Sequence, residues 1–413
     1  MILRRSYLEQ LEQWKDKKII KVVTGVRRCG KSTLLAEFQT KLLQGGVDIG
    51  QIVSLNFEDL YYGDLLDYRK LYNFLQKKIV IGKPTYIFLD EIQRVPQFEK
   101  VVDSLYLKDN VDIYITGSNA FLLSGELATF LSGRYVEINV LPMSFKEYME
   151  ARSGQNPEKE FLNYLQYGGF PYAAVNLKDN RNMFDTYFDG IYNTIVVKDI
   201  EERSMRKNKG SDLHEVSNIP LLKTISSFLA SSVGSLISLR NIANYLSSSL
   251  DRSSSVATVS RYVKALEESY LFYPVHAMNV SGKQFLKNIV KYYIVDPGLR
   301  NYLVPRQNYD LGFLLENIVY LELRRRGYEV YIGKMKDLEV DFIAQKSGVC
   351  QYFQITANCS AKETFEREIA PLSRIKDNYK KTILTLDNFT LGNYGGVLVE
   401  NAIDWLLGED ARS

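Results

Sequence analysis

The stretch GVRRCGKS, residues 25–32, decides the fold class of this chain. It fits the pattern G-x-x-x-x-G-K-[ST], in which glycines let the backbone wrap and aim its N–H groups at a phosphate. An apolar run, KIIKVVTG (18–25), precedes it, and a segment of helical periodicity, STLLAEFQTKLLQ (32–44), follows it. A buried strand, a glycine loop and a helix in this order predict a nucleotide site at the carboxyl end of a parallel strand.

The loop and the start of its helix are expected to bind ATP with Mg²⁺. The predicted contacts are Gly25, Val26, Arg27, Arg28, Cys29, Gly30, Lys31, Ser32 and Thr33. Lys31 would contact the β- and γ-phosphates, and Ser32 would ligate Mg²⁺. A helix N-terminus can lower a thiol pKa, so Cys29 is either a reactive thiol or, as we favour, a small residue that fills the loop.

Further apolar runs alternate with helical segments through the first 145 residues. The segments QIVSLNFED (51–59), TYIFLDE (85–91) and VDIYITGS (111–118) each end in polar residues, and 126–140 leads into another strand. Strands alternating with helices predict an α/β core with a parallel sheet, whose ligands bind at the carboxyl ends of the strands.

Two acids close the apolar run YIFLDE (86–91), about 60 residues after the loop. Asp90 is predicted to hold Mg²⁺, partly through water, and Glu91 to polarise the attacking water. The alternative is a strand followed by a solvated Asp-Glu turn. The pairing of this run with the loop favours the catalytic interpretation.

Two more polar residues are candidates for catalysis. Asn119 follows the next strand, in TGSN (116–119), and would hold the γ-phosphate or the attacking water; the alternative is a strand-end turn. Arg134, in LSGRY (131–135), offers a cation for the charge that develops during phosphoryl transfer, often supplied by a neighbouring subunit. A surface or fold-stabilising arginine is the other reading, and Arg27 and Arg28 are either similar cations or solvated.

Composition limits the remaining possibilities. At about 150 residues per domain, 413 residues predict two or three domains. The balance of 52 Lys+Arg against 49 Asp+Glu excludes a chain-wide basic field, so a nucleic-acid surface must be local. Two histidines and three widely spaced cysteines argue against a His-rich zinc site and a disulfide framework. No signal peptide or membrane span is evident, so we expect a cytoplasmic protein.

Residues 236–296 follow the order helix, turn, helix, hairpin, which is typical of a winged helix. The helices are 236–250 and 255–272, and the hairpin is 273–296. Arg261 and Lys264 share a helix face. Arg252, with the hairpin lysines Lys283, Lys287 and Lys291, could contact a DNA backbone. Binding of another protein or a structural role is the alternative.

The motifs together resemble a large prokaryotic family with an AAA+-type ATPase domain. The resemblance rests on GVRRCGKS, IFLDEIQ, ITGSNAFLLS and LSGRYVEI, and extends to YGGFP (167–171), VVKDI (196–200) and LLENIVYLEL (314–323). It implies ATP binding and hydrolysis. It also implies that helices, a winged helix and a restriction-endonuclease-like α/β domain follow the ATPase domain.

The implied nuclease-like site departs from the nuclease pattern. Such nucleases place a helix Glu, a strand-end Asp and an (E/Q)-x-K strand around metal ions. Glu316, Asp341 and Gln354 match, but Thr356 stands at the lysine position and lacks both its charge and its reach. We therefore expect a degenerate site. Glu339 shares a strand face with Asp341 and could add weak metal binding, and Lys362 is a possible replacement lysine.

The expected division is an ATPase core at 1–145, a helical lid or linker at 146–235, a winged helix at 236–300 and a nuclease-like domain at 301–413. The leading hypothesis is a Mg²⁺-dependent ATPase that couples ATP turnover to movement of the later domains. The alternatives are a nucleotide-gated switch that binds DNA or protein, an ATP-dependent nuclease, and a kinase. Expected partners are ATP, DNA, and either a second copy of the chain or another protein.

Overall fold

The computed structural model describes residues 3–118, 131, 133–177, 181–195, 200, 218–250, 254–280, 282, 284–304, 311–335 and 338–408. The chain divides into two compact units. Unit 1 is Met1–Leu141 with Glu268–Tyr270, and unit 2 is Pro142–Glu267 with Leu271–Ser413. No helix of the described residues is long and apolar enough to cross a membrane.

Unit 1 contains a parallel sheet flanked by helices. Its strands are β1 (Ile20–Thr24), β2 (Ile52–Asn56), β3 (Thr85–Asp90), β4 (Val111–Thr116) and β5 (Tyr135–Asn139). Its helices are α1 (Arg5–Trp14), α2 (Lys31–Gln44), α3 (Tyr68–Gln76) and α4 (Phe98–Tyr106), with short 3-10 helices at Ile49–Gln51, Leu60–Leu66 and Ile92–Arg94. The strand order is β2-β3-β4-β1-β5, and every pairing is parallel. This confirms the predicted α/β core.

The strand order explains why polar residues gather at one edge of this sheet. The apolar runs in β1 and β3 are buried along their whole length, as central strands covered by helices on both faces should be. Strand β4 lies between β3 and β1, so the carboxyl ends of these three strands are neighbours. The acids at the end of β3 therefore lie at the same end of the sheet as the last residues of β4 and the glycine loop that follows β1.

A buried ion pair lies near the amino ends of β1 and β4. The Lys21 ammonium contacts the Asp112 carboxylate, which also accepts hydrogen bonds from the Tyr114 hydroxyl at 2.9 Å and the Asp16 backbone N–H at 2.9 Å. Burial lowers the pKa of Lys21 and raises the pKa of Asp112. The pair accounts for a lysine inside an otherwise apolar strand.

Unit 2 begins with helices and continues into a large mixed sheet. Its helices are α5 (Phe145–Arg152), α6 (Pro157–Tyr167), α7 (Pro171–Asn176), α8 (Arg181–Asn193), α9 (Ile219–Ser231), α10 (Leu239–Leu250), α11 (Val256–Glu268), α12 (Pro297–Leu303), α13 (Leu311–Arg325), α14 (Lys362–Ser373) and α15 (Ala402–Leu407). Its strands are β6 (Leu236–Ile237), β7 (Phe272–Asn279), β8 (Phe285–Ile294), β9 (Glu329–Met335), β10 (Leu338–Lys346), β11 (Val349–Thr356), β12 (Lys380–Thr385), β13 (Gly392–Tyr394) and β14 (Val397–Asn401).

These strands form one sheet of nine, in the order β13-β14-β12-β11-β10-β9-β7-β8-β6. The hairpin of β7 and β8 joins the later strands because β7 pairs with β9 in parallel. The sheet therefore continues across the boundary predicted at residue 300. The predicted hairpin and the predicted strands from β9 to β12 are present.

Asp296, the N-cap residue of α12, holds the segment YGGFP in place. Its carboxylate accepts hydrogen bonds from the backbone N–H of Gly169 at 2.6 Å and of Leu299 at 2.9 Å. Gly168 has a φ of 77°, and a Cβ there would lie 2.1 Å from Asp296 Oδ1. Only glycine suits that position. Burial raises the pKa of Asp296 to about 7.

Candidate nucleotide-binding site

Two glycines give the loop between β1 and α2 its shape. Gly25 has a φ of 138°, and a Cβ on it would lie 2.1 Å from the Val140 carbonyl oxygen. Gly30, directly before α2, has a φ of 104°. Both backbone conformations are ones that other residues rarely adopt. The glycines of the sequence pattern are therefore required by backbone geometry at both ends of the loop.

Lys31, the first residue of α2, folds back over this loop. Its ammonium donates hydrogen bonds to the carbonyl oxygens of Gly25 at 2.9 Å and Val26 at 3.2 Å, and the residue is 5% exposed. Both acceptors are neutral. The Lys31 ammonium is therefore held against the loop by two neutral carbonyl groups, neither of which is a carboxylate. Ser32 and Thr33 follow in the first turn of α2 and are exposed.

Cys29 and Arg27 of the loop contact residues elsewhere in unit 1. Cys29 is fully buried, and burial raises the pKa of its thiol, which favours the loop-filling interpretation over a reactive thiol. The buried Arg4 guanidinium donates to the carbonyl oxygens of Cys29 at 3.2 Å and Leu141 at 2.8 Å. Sequence reasoning missed Arg4, because it lies 25 residues before its loop partner. Arg27 forms an ion pair with Glu58 at 2.6 Å.

A threonine on the neighbouring strand forms hydrogen bonds with both Asp90 and Glu91. The hydroxyl of Thr116, at the end of β4, donates to Asp90 Oδ1 and accepts a hydrogen bond from the Glu91 backbone N–H at 2.9 Å. Asp90 is 8% exposed and Glu91 is 9% exposed. Glu91 has a φ of 53°, in the left-handed region, which redirects the chain directly after the strand. The two acids are therefore buried, oriented and adjacent.

The end of β4 contributes a second hydroxyl to this arrangement. Ser118 Oγ lies 3.3 Å from Glu91 Oε2 as a hydrogen-bond donor. Asn119, the residue selected from the sequence, lies outside the described residues. Thr116 and Ser118 belong to the segment TGSN noted from the sequence, but their contacts with the two acids depend on β3 and β4 being neighbours.

Arg134 lies at the amino ends of the strands, whereas the glycine loop lies at their carboxyl ends. It directly precedes β5, and its carbonyl oxygen accepts the Ile20 backbone N–H at the start of β1. At about 3.3 Å per residue, β1 separates that end from the loop by roughly 16 Å. The Arg134 guanidinium is paired with Asp103 of α4 at 2.5 Å and lies over the Tyr106 ring.

In unit 2, Glu316, Asp341 and Gln354 lie close together. Gln354 Oε1 accepts the Asp341 backbone N–H at 3.3 Å, and Asp341 Oδ2 accepts the Ile355 backbone N–H at 2.8 Å. Thr356 donates to the Asn358 carbonyl oxygen at 3.1 Å. Lys291 Nζ contacts Glu316 at 2.9 Å and lies 3.9 Å from Asp341.

The position of Lys291 corrects one prediction. It was expected on the DNA-facing side of the hairpin, but its side chain is 4% exposed because it pairs with these buried carboxylates. Burial alone would lower the pKa of Lys291, but the carboxylates of Glu316 and Asp341 raise it above its ordinary value. Burial in turn raises the pKa values of Glu316 and Asp341. Lys362, the replacement considered from sequence, has a side chain that is 88% exposed.

Of the other cations predicted to contact DNA, only those on α11 can be placed. Arg261 and Lys264 are both exposed on α11, as their spacing predicts. Arg252, Lys283 and the side chain of Lys287 lie outside the described residues. Within the described ranges, no group of three or more His, Cys, Asp and Glu side chains is placed to hold a metal ion.

Comparison with known proteins places these features in a family. A sequence profile described as "AAA domain" matches residues 17–149, and one described as "Domain of unknown function (DUF8612)" matches residues 158–310. An "Uncharacterized protein" of Haemophilus influenzae is 40% identical over 412 residues, which is 98% of this chain and 99% of that protein. The chain belongs to the same family as that protein. "Uncharacterized protein MJ1544" of Methanocaldococcus jannaschii is 30% identical over 394 residues, 89% of this chain and 82% of its own length.

This family member therefore carries a nucleotide-binding domain of the P-loop ATPase type in unit 1. Among solved structures, "the walker-type atpase paby2304 of pyrococcus abyssi" is similar with a TM-score of 0.48 and 16% identity, over 73% of this chain and 96% of that one. The Aeropyrum pernix ORC1 protein in complex with DNA is similar with a TM-score of 0.32 and 14% identity, over 73% and 92% of the two chains.

Proposed function

We propose that this chain hydrolyses ATP at the carboxyl ends of the strands in the unit 1 sheet. The observation that carries the proposal is the Thr116 hydroxyl, which joins Asp90 and Glu91 at the edge where Lys31 caps the glycine loop. Binding alone needs only the loop. Two buried acids, oriented by a neighbouring strand, supply what in-line attack of water on a phosphoryl group requires.

The donor set fits ATP with Mg²⁺. Ser32 offers a hydroxyl and Asp90 a carboxylate, which are the hard oxygen ligands that Mg²⁺ prefers. When bound, Mg²⁺ would neutralise charge on the phosphate oxygens. The backbone N–H groups of the loop and of the first turn of α2 would bind the phosphates, because a helix N-terminus favours an anion.

Each side chain of the site then has its own role in ATP hydrolysis. Lys31 exchanges its two carbonyl acceptors for phosphate oxygens, which strengthens its hydrogen bonds because the new partner is charged. Glu91 accepts the proton of the attacking water, while Thr116 and Ser118 keep its carboxylate and backbone in position. Asn119 keeps its proposed role as a ligand of the γ-phosphate or the water.

For unit 2, we propose a winged helix formed by β6, α10, α11 and the hairpin of β7 and β8. The element order and the pairing of β6 with β8 support it. The exposed Arg261 and Lys264 on α11 would contact DNA, and ATP turnover in unit 1 would be coupled to this contact. The strands β9–β12 with α13 and α14 would form the nuclease-like domain, without cleavage activity.

The test is phosphate release by Glu91→Gln, with the exposed Glu9→Gln as the matched control. Loss of the general base should lower turnover by about 10²–10⁴-fold, while the affinity for ATP stays within threefold. Equal phosphate release by wild type and Glu91→Gln contradicts hydrolysis at this site. It would support instead a nucleotide-gated switch, the second candidate, in which ATP is held without turnover.

Coupling to DNA is tested by the same assay with and without duplex DNA. The double variant Arg261→Ala/Lys264→Ala should lose any stimulation of turnover by DNA, and the exposed Arg240→Ala on α10 should retain it. Turnover in wild type that is unchanged by DNA contradicts the coupling but leaves the ATPase proposal intact.

A further inference from the structure

Unit 2 contains a buried lysine surrounded by three carboxylates from two other elements. Lys291 Nζ, on β8, lies 2.7 Å from Glu339 Oε1, 2.9 Å from Glu316 Oε1 and 3.9 Å from Asp341 Oδ1. Glu316 comes from α13, and Glu339 and Asp341 come from β10. Its side chain is 4% exposed, so these carboxylates replace the water that a lysine normally keeps.

Each carboxylate has at least one further donor. The Tyr293 hydroxyl donates to Glu316 Oε1 at 2.5 Å, and Lys334 contacts Glu339 Oε2 at 2.6 Å. The Ile355 backbone N–H donates to Asp341 Oδ2 at 2.8 Å. Buried carboxylates with this many donors are satisfied without another cation.

The lysine holds these carboxylates at distances that suit an ammonium group and are longer than a metal ion would need. A Mg²⁺ ion requires carboxylate oxygens at about 2.0–2.1 Å, and usually keeps several waters as well. An ammonium within hydrogen-bond distance of two of these carboxylates, and close to the third, excludes an ion from the space between them. Its single charge would also repel a divalent cation at such short range.

We infer that the Lys291 ammonium substitutes for a divalent cation among Glu316, Glu339 and Asp341. The site therefore takes up no Mg²⁺ or Mn²⁺ in the wild-type chain, and removal of the lysine converts it into a divalent-cation site. This inference does not depend on the proposed ATPase activity.

The experiment measures Mn²⁺ binding to the nucleotide-free full chain. Titration calorimetry and the paramagnetic resonance signal of unbound Mn²⁺ are the two readouts. Wild type should match Asp341→Asn. Lys291→Ala should gain one Mn²⁺ per chain, at least tenfold tighter than any wild-type site, and Lys291→Ala/Asp341→Asn should lose it. Lys334→Ala is the matched control at the rim of the cluster and should gain no site, because Lys291 remains.

Two results would overturn the inference. One is a Mn²⁺ site in wild type that Asp341→Asn removes; metal-dependent nicking of plasmid DNA lost in Lys291→Ala would then make Lys291 a catalytic lysine. The other is a folded Lys291→Ala or Lys291→Met chain, with a cooperative unfolding transition, that binds no more Mn²⁺ than wild type. The wild-type measurement keeps the test decisive even if both variants fail to fold.

Discussion

Lys31 and Lys291 are both buried lysines, but their partners differ. Lys31 donates to two neutral backbone carbonyls, whereas Lys291 is surrounded by three carboxylates. A carbonyl is easily exchanged for a phosphate oxygen, which is the stronger acceptor. Carboxylates in a buried site cannot release their only central cation without a large electrostatic cost. The partner set therefore distinguishes a lysine available to a ligand from a lysine that holds a fold together.

Replacing Lys291, and so breaking its contacts with the three carboxylates, should have the largest effect on stability. Lys291→Met keeps most of the apolar stem but removes the charge, so three carboxylates face each other in a buried site. Unit 2 should lose about 3–5 kcal/mol of stability in urea unfolding. The exposed Lys362→Met should cost almost nothing. If adding Glu316→Gln to Lys291→Met restores no stability, repulsion between the carboxylates is not the cause.

Asp296 offers a third arrangement, a buried carboxylate bonded to backbone N–H groups. Its folded pKa of about 7 lies above its ordinary value of 3.8, so the folded state binds the proton more tightly. This contribution to stability is complete below about pH 4 and is lost as the pH rises through 7. Between pH 5 and pH 8 the loss should be about 2–3 kcal/mol.

Asp296→Asn isolates this contribution, because asparagine does not titrate. Urea unfolding of wild type and Asp296→Asn at pH 5 and pH 8 measures it. The pH dependence of unfolding should shrink in the variant by the same 2–3 kcal/mol. An unchanged pH dependence would mean that Asp296 stays ionised in the folded chain.

Arg134 should give the smallest effect. Its ion pair with Asp103 is partly exposed, with side-chain exposures of 43% and 38%, and such pairs contribute at most about 1 kcal/mol. Arg134 lies at the amino ends of the strands, away from the loop. We therefore expect Arg134→Ala to leave ATP turnover by a monomer unchanged. Turnover measured on size-separated fractions checks this. A loss confined to fractions that contain several chains supports action across subunits, and a loss in the monomer contradicts the placement.

The sequence predicted unit 1 well because its signals are local. Each strand is a short apolar run that ends in polar residues. The glycine loop follows β1 directly, and Asp90 and Glu91 lie at the end of β3. The contacts of Thr116 were missed because they depend on which strands are neighbours.

Two strands of unit 2, β6 and β13, were not predicted. β13 has three exposed residues and β6 has only two residues, so neither is long and apolar enough to show a strand pattern in the sequence.

The cluster around Lys291 could be predicted only in part. Glu316, Asp341 and Gln354 were identified by resemblance, but their lysine partner comes from β8, 25 residues before Glu316. Its signal was the single charge inside the apolar run IVKYYIV (289–295), much as Lys21 interrupts KIIKVVTG. A lone lysine in a buried strand indicates a buried carboxylate, but the partner is fixed only by tertiary pairing.

The comparison of the two lysines is tested most directly by the affinity of Lys31→Ala for ATP. Titration with a fluorescent ATP analogue should show binding at least 100-fold weaker than in wild type. Urea unfolding without nucleotide should stay within about 1 kcal/mol, because two hydrogen bonds to neutral carbonyls contribute little net stability. Lys291→Met, as far as it folds, should keep the wild-type affinity. Wild-type affinity in Lys31→Ala would contradict the account, because the lysine over the glycine loop would then have no part in binding nucleotide.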